Sequence, residues 1–170
     1  MDEIRKYSMK QFSEFSNKEL AGINDIQLLI LKGHIIVEYT LNCYLEAISK
    51  SDDSDFFKEN FTFSEKIKIA KHFGQLGDKN ENLIPELTLL NRLRNDIAHS
   101  LKYSNKHLEE LFEAVNRKRP NLIYSDKQKS IMQKFSGTIA FISGAIFAAY
   151  KFHTDRKDLD EFIDKNNNNT

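Results

Sequence analysis

The sequence is poor in residues that cross-link or interrupt a chain. Its 170 residues include one cysteine, two prolines and six glycines. A single cysteine, Cys43, excludes an internal disulfide framework and a cysteine-based zinc site, which favours a reducing, cytoplasmic setting. Apolar residues recur at intervals of three and four, which is the period of a helix. The sequence therefore predicts an all-α protein.

An excess of charge is also missing, because 25 Lys and Arg balance 25 Asp and Glu. This balance argues against an avid, nonspecific nucleic-acid binder. Locally, residues 86–135 carry ten basic against six acidic side chains, which is enough for a modest basic patch. The most apolar stretch, residues 135–150, is shorter than the ~20 residues that cross a bilayer, and residues 1–10 lack the apolar core of a secretory signal. We expect no membrane partner.

The apolar periodicity predicts a bundle of five to six helices in one domain over residues 1–163. Residues 49–60 are expected to form a loop, and residues 164–170, with four consecutive asparagines, a disordered polar tail. Expected helix caps are Asn24 or Asp25, Ser64 and Ser104, and Pro85 suits a first helical turn. The predicted helices cover about residues 2–15, 25–48, 64–74, 85–101, 104–117 and 126–153.

The last predicted helix carries many small residues that would let a neighbouring backbone approach closely, within the chain or across a dimer. They are Gly137, Ala140, Gly144, Ala145, Ala148 and Ala149. Four phenylalanines around the predicted loop suit core packing, with a lid or a base-stacking surface as the alternative. These are Phe56, Phe57, Phe61 and Phe63.

A polar, basic segment ends the fourth predicted helix. Four residues separate Arg94 from His99, and six separate Arg92 from His99. This segment resembles the signature of the HEPN superfamily, in which an arginine, usually followed by a polar residue such as asparagine, precedes a histidine by four to six positions. Asn95 directly follows Arg94, and Ala98 directly precedes His99. The resemblance covers roughly residues 24–150.

The resemblance implies a helical bundle and, for active members, a metal-independent ribonuclease of toxin–antitoxin, abortive-infection or CRISPR systems. Such enzymes cut RNA at a composite site between two motifs, usually across a dimer. We therefore expect a homodimeric endoribonuclease without metal or cofactor, silenced by an antitoxin or regulatory protein, with Arg94, Asn95 and His99 as catalytic residues. The alternatives are a noncatalytic module that binds protein or nucleotide or that dimerises, and a helical accessory domain of a nucleotidyltransferase.

The residue types suit this chemistry. A neutral imidazole, with an ordinary pKa near ~6.5, can take the proton of an RNA 2′-hydroxyl at neutral pH. A permanently charged guanidinium can hold the phosphate and its developing charge. The expected products are a 2′,3′-cyclic phosphate and a 5′-hydroxyl, and DNA would be spared.

The choice between the two arginines stays open at this point. On an ideal helix Arg94 lies about 140° from His99, within the apolar stripe formed by Leu87, Leu90, Ile97 and Leu101. The polar face instead carries Arg92, Asn95, Asp96 and His99. The resemblance favours Arg94, whose charge would then need a partner, such as the Glu38 carboxylate or an RNA phosphate.

Several other polar residues are candidates for supporting roles. His34 and Glu38 lie four residues apart on one helix face, so they form either a local side-chain pair or a group that orients the active site. Arg92 and Asp96 are further candidates for a supporting role. The remaining basic residues suit RNA binding or, for the three consecutive ones, a solvated helix end that complements the helix dipole. They are Lys102, Arg117, Lys118 and Arg119.

Overall fold

The computed structural model describes residues 2–49, 56–74, 76, 82–120, 122–123 and 129–167. Over these ranges the chain forms one 3₁₀ helix, Asp2–Lys6, and seven α-helices, and no strand. The all-α bundle is confirmed, with one more helix than expected. The α-helices are α1 (Met9–Leu20), α2 (Ile26–Ile48), α3 (Phe56–Asn60), α4 (Phe63–Phe73), α5 (Ile84–Ser100), α6 (Asn105–Lys118) and α7 (Ile131–Asn167).

Side-chain caps explain where the first helices differ from their predicted limits. The helix expected over residues 2–15 is divided, because Ser8 starts α1 with a capping box in which Gln11 Oε1 accepts from the Ser8 N–H at 2.8 Å. Similarly, α4 starts at Thr62 and not at the predicted Ser64. Glu65 accepts from the Thr62 N–H at 2.8 Å and caps this helix reciprocally.

The remaining ends follow the sequence more closely. Asp25 caps α2, Ser104 caps α6, and Pro85 lies in the first turn of α5. Within the predicted loop, Phe56 and Phe57 belong to the short helix α3, while residues 50–55 lie outside the described ranges. Helix α7 begins at Ile131, whereas its predicted start at residue 126 is not described. It continues to Asn167, so it overlaps the predicted tail, of which residues 168–170 are not described.

Helices α2 and α7 form the most extensive contact of the bundle. Gly33 of α2 packs so closely on α7 that an added Cβ would lie 2.7 Å from Ile139 Cγ1. Farther along both helices, the rings of Tyr44 and His153 lie 5.7 Å apart, so the helices run in the same direction. The inward face of α7 is apolar and fully buried at Phe135, Ile139, Ile142 and Ile146.

The other helices surround this pair. Helix α1 packs on α7 through the stacked rings of Phe12 and Phe147, whose centroids are 4.2 Å apart. Helix α5 packs on α2 and α4, and α6 packs on α5 and α7. The phenylalanines of residues 56–63 mostly follow the core-packing prediction, since Phe57 and Phe63 are buried and Phe61 is partly buried, although Phe56 is exposed.

The outward side of α7 carries part of the small-residue stripe. An added Cβ at Gly137 or Gly144 would meet no atom within 4 Å, so these positions are open within the described chain. The close approach occurs at Gly33 of α2 instead. Within Ile131–Asp155 an 18-residue window has a mean hydropathy of 1.3 and 44% of its residues are buried, and by length and composition alone this helix could cross a membrane. The buried core helix of a soluble protein can have the same length and composition, so these two properties are weak evidence for a membrane span.

We predict opposite effects of alanine at two helical glycines. Gly33→Ala should lower the free energy of unfolding by about 1 kcal/mol, because overpacking outweighs the gain in helix propensity. Gly144→Ala, where the added methyl meets open space, should raise it by about 0.5–1 kcal/mol. Urea unfolding measures both changes. Equal stabilisation by the two substitutions would contradict the close contact at Gly33.

Candidate functional site

The motif occupies the last two turns of α5, and the covered face of this helix ends at Ile97. Leu93 and Ile97 are its last buried residues, and Ala98, His99 and Ser100 are exposed. Leu101, predicted to face inward, caps the helix in the left-handed conformation, with φ 56°, and is 79% exposed. That part of the prediction is wrong because the chain leaves the helix at this residue.

Arg94 is exposed, although its helical position predicts burial. The core-facing strip of α5 narrows to Leu93 and Ile97 in this region, so a long side chain between them reaches solvent. Its Nη1 donates to Asn95 Oδ1 at 3.2 Å. Within the described ranges, no carboxylate lies within ion-pair distance of Arg94. The guanidinium therefore keeps its capacity to bind an anion.

His99 and Arg92 are also exposed on α5. Across the described residues, neither side chain has a hydrogen bond or an ion pair. Arg94 and His99 lie on different faces of the helix, about 140° apart by helical geometry. One copy of α5 thus presents the two side chains of the motif in different directions.

Asp96 has a structural role that its position in the motif did not reveal. Its Oδ2 accepts from the backbone N–H of Ser104 at 3.2 Å and lies 2.8 Å from Nδ1 of His107. Ser104 Oγ in turn accepts from the backbone N–H of His107 at 3.3 Å, which caps α6. The carboxylate therefore fastens the end of α5 to the start of α6. Sequence reasoning missed His107, which is eleven residues away.

His34 and Glu38 belong to a second cluster, between α2, α4 and α5. The Glu38 carboxylate lies 2.7 Å from the ammonium of Lys66 and 3.7 Å from His34 Nδ1. Lys66 is only 1% exposed, and the ring of Phe63 covers His34 at a centroid distance of 4.3 Å. Sequence reasoning also missed Lys66, whose place three residues after Phe63 on the inward face of α4 is its only signal. The suggested pairing of Glu38 with Arg94 does not occur, because Lys66 takes that place.

His34 is held neutral by its surroundings. Burial lowers its pKa to about 4, although the Glu38 carboxylate works in the opposite direction. The positive charges of Arg94 and Lys66 lower this pKa further, so the motif and the buried cluster are electrostatically connected. Within the described part of the chain, the buried Nε2 atom of His34 has no hydrogen-bond partner. A neutral imidazole suits this position, since a buried charge there would be costly.

The predicted RNA-binding residues of α6 are divided among different contacts. The ammonium of Lys118 lies 2.6 Å from the buried Glu86 carboxylate and bonds the Asn82 carbonyl. Arg119 lies over the ring of Phe141, 5.5 Å from its centroid. Arg117 and Lys102 are exposed. Lys118 thus links α6 to α5, and the basic cluster is smaller than its sequence indicates.

Two further observations concern ligands. Among the described residues, no group of three or more His, Cys, Asp and Glu side chains could hold a metal ion. A shallow groove of about 580 Å³ lies between residues 20–24 and the first turns of α7. No motif residue lines it. Comparison of the chain with models of protein families, with curated proteins and with solved structures found no match.

The depressed pKa of His34 predicts a pH-dependent stability. Between pH 6.5 and about 4 the unfolded chain binds a proton at this histidine that the folded chain does not, so stability falls as the pH falls through this window. The loss attributable to His34 should reach about 2–3 kcal/mol at the lower end.

The matched variant is His34→Leu, which removes the titrating group. Urea unfolding of both proteins between pH 7 and pH 4.5 should show the wild type losing stability more steeply, because contributions from carboxylates distant from His34 are common to both and cancel in the difference. Parallel curves would mean that His34 protonates as readily in the folded as in the unfolded chain.

Proposed function

We propose that this chain is a metal-independent endoribonuclease that acts as a homodimer, as a toxin or an antiphage-defence effector. The proposal rests on one observation above all. Arg94 and His99, at the spacing of the HEPN motif, are exposed side chains without a charged partner among the described residues. Most other polar groups around them are engaged in structural contacts.

The chemistry assigned to each side chain follows from its residue type and exposure. His99 acts as the general base and takes the proton of the RNA 2′-hydroxyl, and the alkoxide attacks the neighbouring phosphorus. The Arg94 guanidinium binds the non-bridging phosphate oxygens, where negative charge builds up. The Asn95 side chain, which accepts from Arg94 Nη1, limits the directions in which the guanidinium can point. This sequence of events requires no metal.

The need for two copies follows from the different faces of Arg94 and His99. A phosphate beside His99 of one copy lies on the wrong side of α5 for Arg94 of the same copy. A second copy related by a two-fold axis can supply that arginine. Arg92, which lies on the same face as His99, is the competing candidate and requires no second copy.

A second candidate function is a noncatalytic module that binds a protein or nucleotide or that dimerises. It is favoured by several large apolar side chains on the surface, including Leu28 at 54%, Ile35 at 52% and Leu101 at 79% exposure. In this case the Asp96–His107 pair and the Glu38–Lys66 pair serve the fold alone, and the exposed motif binds without cutting.

The test is RNA cleavage by the purified protein, with chelator present throughout. We expect cleavage to continue in chelator and to release 5′-hydroxyl ends. His99→Ala and Arg94→Ala should each lower the rate by about 10²–10⁴-fold. Because both side chains are exposed, thermal melting should stay close to the wild type.

Two control variants complete the test. His72→Ala changes another exposed histidine, on α4, and should leave cleavage unchanged. Arg92→Ala decides between the arginines, since a loss there with an active Arg94→Ala variant would assign the phosphate to Arg92. A wild-type protein that cuts no RNA, with or without divalent ions, would favour the binding module.

A further inference from the structure

The turn between α5 and α6 holds a hydrogen-bonded aspartate and histidine at the surface. Asp96 Oδ2 and His107 Nδ1 are 2.8 Å apart, and the two side chains are 28% and 27% exposed. We propose that His107 is the general acid of RNA cleavage, oriented by Asp96, and that it donates a proton to the leaving 5′-oxygen while His99 acts as the base. This inference rests on the proposed ribonuclease function.

The contacts of Asp96 hold the imidazole of His107 in one orientation. A carboxylate that accepts from Nδ1 fixes the orientation of the ring and leaves Nε2 directed away from the pair. The carboxylate is itself bonded to the backbone N–H of Ser104, and Ser104 Oγ bonds the backbone N–H of His107. Ring and backbone of His107 are therefore both restrained. Such restraint is what a group that transfers protons requires.

The same turn brings this histidine close to the motif. His99 follows Asp96 by three residues on α5, and side chains three apart on a helix are neighbours, about 5–6 Å apart at Cβ. By helical spacing His99 is thus a neighbour of Asp96 on α5, while His107 contacts the same carboxylate from the first turn of α6. Acid and base are thus grouped on one surface, to which Arg94 of a second copy brings the phosphate-binding cation.

The proposed step balances as follows. His99 removes the proton of the 2′-hydroxyl, and a bond forms between the 2′-oxygen and phosphorus. The bond between phosphorus and the 5′-oxygen breaks, and protonated His107 gives its Nε2 proton to that oxygen. The products are the 2′,3′-cyclic phosphate and the 5′-hydroxyl, and exchange of protons with water restores both histidines.

A purely structural role for His107 makes a different prediction. The contact that joins α6 to Asp96 uses only Nδ1 of His107. An asparagine amide at this position can donate to the Asp96 carboxylate from nearly the same place. His107→Asn therefore keeps the structural bond and removes the proton of Nε2. If the pair served only the fold, this variant would cut RNA at the wild-type rate.

The experiment compares His107→Asn with the wild type on two substrates. One is ordinary RNA, and the other has sulfur in place of the leaving 5′-oxygen, because a thiolate leaves without being protonated. We expect a loss of about 10²-fold or more on ordinary RNA and a rate within about threefold of the wild type on the sulfur substrate. His99→Ala should fail on both substrates, His72→Asn should act as wild type on both, and melting of His107→Asn should be unchanged.

Each other outcome overturns the inference. Equal loss on both substrates would mean that His107 does not protonate the leaving group, and no loss would leave the pair a structural contact. In both cases an active wild type and an inactive His99→Ala variant would leave the proposed function in place. If the wild type cuts neither substrate, the ribonuclease function fails and the role of His107 fails with it.

Discussion

The close packing of α2 against α7 determines where the other helices can lie. Gly33 allows the two helices to approach until Ile139 and Phe135 of α7 fill the space that a side chain would take. With this face of α2 covered, the adjacent face carries His34 and Glu38 toward α4 and α5. The ion pair between Glu38 and the buried Lys66 then fixes α4 beside α2. The position of the motif on α5 follows from these contacts.

Much of this architecture is encoded in local sequence. Apolar periodicity predicts the long helices because burial of one face drives their packing, and Asp25, Pro85 and Ser104 mark helix starts by satisfying or avoiding free backbone N–H groups. Thr62 and Ser64 could both cap α4. The capping box with Glu65, three residues after Thr62, decides for Thr62.

Other features depend on where neighbouring helices end, which a helical wheel does not show. Arg94 and Leu101 occupy core-facing positions, yet both are exposed, Arg94 because the buried strip of α5 narrows to Leu93 and Ile97, and Leu101 because the chain leaves the helix there. Lys66 occupies a similar position on α4 and is buried, because Glu38 supplies a countercharge. The contact of Asp96 with His107 depends on the geometry of a turn. Motif spacing identified Arg94 and His99 but could not identify a partner on the next helix.

The polar residues in and around the motif fall into two groups, those held in ion pairs between helices and those exposed to solvent. Glu38, Lys66, Glu86 and Lys118 are committed to ion pairs that join helices. The motif side chains are exposed on different faces of α5. The proposed ribonuclease therefore needs a catalytic site shared between two copies, with the base from one copy and Arg94 from the other.

The most direct test of this sharing is the activity of mixed dimers. Arg94→Ala and His99→Ala chains, co-expressed with different tags and purified through both, should have roughly half the wild-type activity, because each mixed dimer keeps one complete site of two. Wild-type chains paired with the Arg94→Ala/His99→Ala double variant should be inactive, since neither shared site is complete. In the reverse pattern, the dimer of the two single variants is inactive, and the dimer that contains one wild-type chain has half the wild-type activity. That result would place the whole site within one chain and contradict the account.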